Sequence, residues 1–424
     1  MSIGLGIKNT IPLVKAMWST PQLLKVDPAI LWFLSNYMNK FQIRDVDNHL
    51  ILHSHLPPLN SKAYARFVNE HLLIKKEGPS HAQIGLTNAC PQNCACCYNK
   101  NRKGKVMDKD TIVKTAHSLK EMGVVWLGFT GGEPLLNKDI VEITDSVADG
   151  CAIKLFTTGC TLTKTLASDL KNAGIFSVSV SLDHWIEEKH DEGRGYKGAF
   201  KEALKAIEIF KGLGTDVGVS AVLSREMIRN NQTEDFLSFL TSLELNEAWL
   251  SEVKPSGEAF WDENLVITEA DRLKLIKLQD EYNLAGKITV NYLGHFEGKE
   301  CFGCNAGHKM VYVDAFGDVS PCVFTPMRFG NVQQNEVRDI FREMKRYFPS
   351  ENGCFINKNY HLLKKYSDGQ TVLDTKATLK MMEDVRFGPL SRFYQLYYGP
   401  NKNQKKVTTL TRQNNLTEAM YENI

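Results

Sequence analysis

Cys90, Cys94 and Cys97 are separated by three and then two intervening residues, just after Gln83–Thr87, a short run with strand character. Gly85 and Pro91 argue against a long helix here, so the thiols belong to a loop. A [4Fe–4S] cube takes four ligands, usually thiolates. Three thiolates leave one iron open, as the open position of a catalytic zinc is, and a cofactor can enter there through its own nitrogen and oxygen. A structural zinc knot with Cys96 as fourth ligand is the rival reading. Adjacent Cys96 and Cys97 suit one tetrahedral ion badly, which makes Cys96 a spectator.

Thr130-Gly131-Gly132-Glu133-Pro134 ends the next apolar run. Paired glycines let backbone pass close to a ligand, and Glu133 adds an acceptor for an ammonium group. Taken alone, the motif reads equally well as a strand-to-helix turn. Thr157-Thr158-Gly159 ends a third strand, and Ser179, Ser181 and Asp183 alternate along the end of a fourth, so they share one sheet face. The run His190-Asp191-Glu-Gly-Arg194-Gly195 follows. Its arginine has the planar fork that suits a carboxylate, with a surface ion pair as the plain alternative.

A second set of thiols follows at Cys301, Cys304, Cys322 and Cys354, leaving only Cys151 and Cys160 elsewhere among the ten cysteines. Two groups of soft ligands in a reducing compartment point to two metal sites.

The triplet resembles the signature of the radical S-adenosylmethionine (SAM) superfamily, and residues 130–134 resemble its GGEP motif. In that family an aromatic residue usually precedes the third cysteine. Here Cys96 takes that place and Tyr98 follows, so Tyr98 is the candidate to pack the adenine. The resemblance implies that Cys90, Cys94 and Cys97 hold a [4Fe–4S] cluster, and that Gly131, Gly132, Glu133 and Pro134 bind the methionine end of SAM. Thr158, Ser179, Ser181, Asp183 and Arg194 are the further SAM-binding candidates. From Cys304, twelve residues lead to Gly317 and four more to Cys322, which resembles the opening of the SPASM and twitch domains. Cys301, Cys304, Cys322 and Cys354 would then ligate one auxiliary [4Fe–4S] cluster, with a four-thiolate zinc site as the rival.

The resemblance covers roughly residues 81–355. It implies one-electron reductive cleavage of SAM to a 5′-deoxyadenosyl radical, then hydrogen abstraction from an organic substrate, with flavodoxin or ferredoxin as the kind of electron donor. The Ser-Leu-Asp and Arg-Gly pattern favours a peptide undergoing maturation. The alternatives are a small molecule of cofactor or lipid biosynthesis, or a non-catalytic zinc scaffold. His308, Tyr312, Asp314 and Glu252 lie near strand ends, but none is assigned as catalytic acid or base.

The elements that must position these groups repeat. Strands are predicted at 83–87, 124–130, 153–157, 176–182, 216–223 and 248–253. Helices are predicted at 108–122, 138–148, 162–172, 198–210, 233–243 and 269–282. Six strand–helix units predict an α/β fold, a partial (β/α)6 TIM-like barrel whose reactive groups sit at the strands' C-terminal ends. Residues 1–80 form a separate small α+β element, with helices at 29–39 and 60–73 and a hairpin turning at Asp47-Asn48. Its Met17, Trp18, Trp32 and Phe33 are expected in a core, with a membrane-surface or partner face as the alternative. The barrel spans 81–290 and the cysteine-rich auxiliary-cluster domain 291–360, its hairpin formed by 311–314 and 318–320. A helical segment and polar tail occupy 361–424.

Net charge is +2, from 51 basic and 49 acidic residues over 424. That offers no global electrostatic case for nucleic acid. No apolar run approaches the roughly 20 residues of a membrane span, and Lys8 and Lys15 break any signal-peptide order. A cytoplasmic protein is expected, with peripheral membrane contact as the most the N-terminal helices would add.

Overall fold

The computed structural model describes residues 10–256, 263–349 and 351–399. The polar tail expected from Asn401 onward lies outside the described residues.

The N-terminal element contains α1 (Thr10–Ser19), α2 (Pro28–Met38), the β1–β2 hairpin (Arg44–Val46 and His49–Ile51) and α3 (Lys62–Phe67). The hairpin turns at Asp47 and Asn48, both at positive φ, which Asp and Asn tolerate. The helix expected over 60–73 is α only to Phe67 and continues as a wider π turn over Val68–Leu73. Phe33 enters the core as expected, whereas Met17, Trp18 and Trp32 are exposed.

The barrel strands are β3 (His81–Thr87), β4 (Trp126–Gly131), β5 (Ala152–Thr157), β6 (Ile175–Ser181), β7 (Asp216–Leu223), β8 (Glu247–Glu252) and β9 (Thr289–Tyr292). All seven run parallel in sequence order. Between them lie α4 (Lys109–Met122), α5 (Ile140–Val147), α6 (Lys164–Ala173), α7 (Glu187–Arg194), α8 (Ala199–Gly212), α9 (Gln232–Ser242) and α10 (Glu269–Ala285). Their buried stripes, such as Ile112, Ala116 and Leu119 of α4, face one continuous core with the strands. Asp108 caps α4 by accepting from Thr111 N, and Gly123 at φ 120° ends it.

Six strands were expected and are present; β9 is a seventh. The sheet also continues past β3. Strand β10 (Met310–Val313) pairs parallel with β3, followed by antiparallel β11 (Asp318–Ser320) and β12 (Gly330–Asn331). The result is one open ten-stranded sheet with β9 and β12 at its edges. Four helices follow: α11 (Val337–Lys345), α12 (Phe355–Tyr366), α13 (Thr375–Asp384) and α14 (Arg392–Tyr398). Helix α14 returns to the N-terminal element, where Phe393, Tyr394 and Tyr397 share a core with Ile30, Phe33 and Tyr37. Among the described residues no helix is long and apolar enough to cross a membrane.

The floor of the barrel is plugged by residues 53–55. Ser54 O accepts from Trp126 Nε1 at 2.8 Å, Ser54 Oγ from Lys154 Nζ at 2.5 Å, and His55 stacks on Trp249 at 3.6 Å. With the N-terminal strand ends closed, the opposite end is left to hold the site.

Candidate active site

Strand β3 delivers the chain into the cysteine loop, and the loop is fixed from two sides. The diglycine turn after β4 folds back on it: Gly132 N donates to Thr87 O and Glu133 N to Ala89 O, each at 2.7 Å. A Cβ on Gly131, at φ 123°, would lie 2.3 Å from Thr87 O, and one on Gly132 2.3 Å from Ala89 O. Glycine is required at both positions by contact. On the other side, the end of α7 meets the loop, with Asn93 N donating to Arg194 O at 2.9 Å.

Cys90, Cys94 and Cys97 line one cavity of about 590 Å³, together with Cys96, Tyr98, Gly131, Gly132, Thr158, Ser181 and Arg194. Arg194 Nη2 pairs with Asp183 Oδ2 at 2.7 Å, and its Nη1 lies 3.9 Å from Cys94 Sγ. Burial pushes the Cys94 thiol up and the Arg194 charge opposes that, so the guanidinium favours a thiolate. Burial pushes the Cys96 thiol up to about 12, whereas Cys90 is exposed at the start of the loop. Tyr98 donates to or accepts from Thr130 Oγ1 at 2.7 Å and meets Tyr312 and Phe324 edge-on.

Glu133 stands where the motif placed it but turns inward. Its carboxylate is fully buried and accepts from Leu135 N, Thr157 Oγ1, Thr158 N and Thr158 Oγ1 at 2.6–3.0 Å. Desolvation still holds its pKa above the ordinary value. It thereby clamps the end of β5 to the diglycine turn, and Pro134 opens the short turn that follows. Ser179 is buried within β6 and does not line the cavity. Asp191, in the run that led to Arg194, caps the next helix by accepting from Gly198 N and Phe200 N.

Cys304, Cys322 and Cys354 line the same cavity, with Lys254 and Glu297. Cys301 does not join them. It lines a different pocket with Phe33, Tyr37, Lys40 and Arg392, packed in the N-terminal core, because the chain reverses between it and Cys304 through Gly303 at φ 72°. Lys254 and Glu297 were not singled out from the sequence. Glu252 and Lys254 alternate at the end of β8, and that spacing could have flagged the pair.

The remaining polar candidates are engaged in structure. His308 bonds Phe348 O and Tyr398 Oη, Tyr312 donates to Asn99 Oδ1, Asp314 pairs with Arg102, and Glu252 pairs with Lys254.

These residues fit an iron–sulfur cluster. None of the ten cysteines forms a disulfide among the described residues, and the triplet opens on a cavity beside close-packed backbone. Among the same residues no three His, Cys, Asp or Glu side chains converge tightly enough to hold a single metal ion, whereas a cube spreads its thiolates over separate irons.

The family model for the radical SAM superfamily matches residues 84–240, and that for the SPASM iron–sulfur cluster-binding domain matches residues 304–359. The chain is 26% identical to the PqqA peptide cyclase of Bradyrhizobium diazoefficiens over 272 residues, 61% of this chain and 71% of that one. It is also 26% identical to the AdoMet-dependent heme synthase of Methanosarcina barkeri over 284 residues, 60% of this chain and 80% of that one. Among solved structures, Streptococcus suis SuiB bound to its precursor peptide SuiA shares the fold. The TM-score is 0.55 at 14% identity, covering 75% of this chain and 79% of that one.

Proposed function

Because the chain belongs to the radical SAM superfamily and carries a SPASM iron–sulfur domain, we propose that it matures a peptide by activating one of that peptide's C–H bonds. It is an enzyme that uses SAM and iron–sulfur clusters; the peptide substrate is the step beyond. The observation that carries the reading is the shared cavity: both cysteine groups open onto one space large enough for a side chain and its backbone. The relative named as a peptide cyclase and the fold neighbour bound to a precursor peptide support the same substrate class.

Cys90, Cys94 and Cys97 would hold the cluster that, with SAM bound, supplies one-electron reductive cleavage and hydrogen abstraction from carbon. The protein's own residues set the stage for it. The Gly131-Gly132 backbone presents close polar groups, Tyr98 offers an aromatic wall, and Ser181, Thr158 and Arg194, the last held by Asp183, line the SAM side. Glu133 acts through Thr157 and Thr158, as a positioning residue. Phe156, Trp249, Phe296 and Phe324 give apolar walls that exclude water. The electron would come from a flavodoxin- or ferredoxin-like donor.

Anaerobic incubation with SAM and dithionite should release 5′-deoxyadenosine from wild type and not from Cys94→Ala. With a peptide pool from cells grown in deuterated medium, deuterium should appear in the 5′-deoxyadenosine. Label arising solely from the small-molecule fraction would overturn the peptide reading. That result would favour an apolar small substrate, for which the inner cavity wall of Phe67, Phe302 and Phe393 is suited.

A further inference from the structure

The second cysteine group contains four thiols but one of them faces elsewhere. Cys304, Cys322 and Cys354 line the large cavity, while Cys301 lies in the pocket of Trp32, Phe33 and Lys40. The Cys301 backbone is committed there as well, its carbonyl accepting from Phe393 N at 3.2 Å.

What stands beside the three thiols is a carboxylate. Glu297 lines the same cavity, and its own carbonyl accepts from Gly353 N at 2.6 Å, one residue before Cys354. Cys304 N donates to Glu351 O at 2.9 Å, closing the same loop around the thiols. Through Gly353, the Glu297 backbone is tied to the turn that carries Cys354. Lys254, 1% exposed at its side chain, places Nζ 3.0 Å from Glu297 Oε2 and 3.1 Å from Glu252 Oε1. A ligating carboxylate is commonly held by such an outer hydrogen bond. Cys354 is also the N-cap of the twelve-residue helix α12, where amide dipoles favour a thiolate.

We propose that Cys304, Cys322 and Cys354 are the three thiolate ligands of the auxiliary cluster, that Glu297 supplies the fourth ligand with Lys254 orienting it, and that Cys301 is a core residue. A carboxylate is a weaker, more exchangeable ligand to iron than a thiolate. The vertex it occupies faces the substrate cavity, so a substrate thiolate or amide can displace it there. The inference rests on the iron–sulfur reading of the C-terminal domain.

The test uses the full chain with Cys90, Cys94 and Cys97 replaced by Ala, so that only the auxiliary site remains. After anaerobic reconstitution with iron and sulfide, iron content and the electron paramagnetic resonance of oxidised and reduced protein are read. The parent should hold about four irons per chain. Cys301→Ser should match it, whereas Cys304→Ser and Cys354→Ser should fall to background while keeping the parent's far-ultraviolet circular dichroism. Glu297→Gln should lose about one iron in four and show a three-iron signal. Loss of iron in Cys301→Ser to the level of Cys304→Ser would overturn the ligand set. An unchanged iron count and spectrum in Glu297→Gln would overturn the carboxylate. A parent that binds zinc and no iron would instead overturn the iron–sulfur reading itself.

Discussion

Arg102 and Asp314 form an ion pair 2.9 Å long with side chains 2% and 1% exposed. Arg102 follows the cysteine loop and Asp314 follows β10, so the pair bolts the first cysteine group to the strand that leads to the second. Asp314 is otherwise satisfied, accepting from Phe316 N and Asp318 N, and Arg102 lies over the Tyr312 ring. The pair thus links two segments that lead to the same cavity.

Removing one partner strands a buried charge, a loss of about 3–5 kcal/mol. Arg102→Met should lower the denaturant midpoint accordingly. Because the cysteine loop loses this anchor, the iron content of the first site should fall with it. A loss under about 1 kcal/mol, the range of exposed pairs, would contradict the burial.

Glu133 makes its four hydrogen bonds to the protein, so its replacement should register in stability before it registers in binding. Glu133→Gln puts an amide NH2 against donors, at about 1–3 kcal/mol per buried group left unpaired. Thermal unfolding of the protein without SAM measures this. If the melting temperature is unchanged while SAM affinity drops, the carboxylate serves the ligand directly and the clamp is unimportant.

Much of this site could be read from residue order, and the rest could not for identifiable reasons. The strand pattern, the cysteine triplet and the diglycine turn are local, and local spacing suffices for them. Helix α7 carries no periodic signal, because Glu187–Arg194 is charged nearly throughout, with no apolar stripe to give a period. Strand β9 shows no alternation, because Thr289–Tyr292 is four residues long, buried on both faces and interrupted by Asn291. The pairing of β10 with β3 joins positions more than two hundred residues apart, which no window reveals. Cys301 shows the limit most plainly. Its spacing from Cys304 is that of a ligand pair, but the reversal at Gly303 and the aromatic core around Phe33 and Phe393 decide where its sulfur goes. Glu133 shows a subtler case: its place in the turn was evident, its hydrogen-bond partners on β5 were not.

Arg194 and Asp183 carry opposite charges beside Cys94, so their removal should act in opposite directions on the nearby cluster. A positive charge stabilises the reduced, more negative state. Arg194→Gln should therefore lower the reduction potential, and Asp183→Asn, which leaves the guanidinium unneutralised, should raise it. A tenfold shift in the one-electron equilibrium is ~59 mV, and changes of that order are expected. Spectroelectrochemical titration reads both. Shifts of the same sign would mean that the variants act by loosening the loop.

The plugged barrel floor should make the fold sensitive to mild acid. His53 and His81 are held neutral, at about 3 and about 4, by burial first; the Lys154 charge adds to the effect at His53. His71, buried beside Lys309, is held to about 3 in the same way. These folded values lie below the unfolded value of about 6.5. Above that pH both states are neutral and nothing is lost. As pH falls below it, the unfolded chain takes up protons that the native floor refuses, and stability drops until the folded values are reached. At pH 5 the loss is about 2 kcal/mol for each such histidine, in a range where ordinary carboxylates are still ionised. Urea midpoints measured from pH 7.5 to 5 should fall steadily. His81→Gln, which can keep the bonds to Ser80 and His55 O, should fall less steeply. A flat profile for wild type, or an unchanged slope in His81→Gln, would mean that the floor admits water and that the plug at residues 53–55 is open in solution.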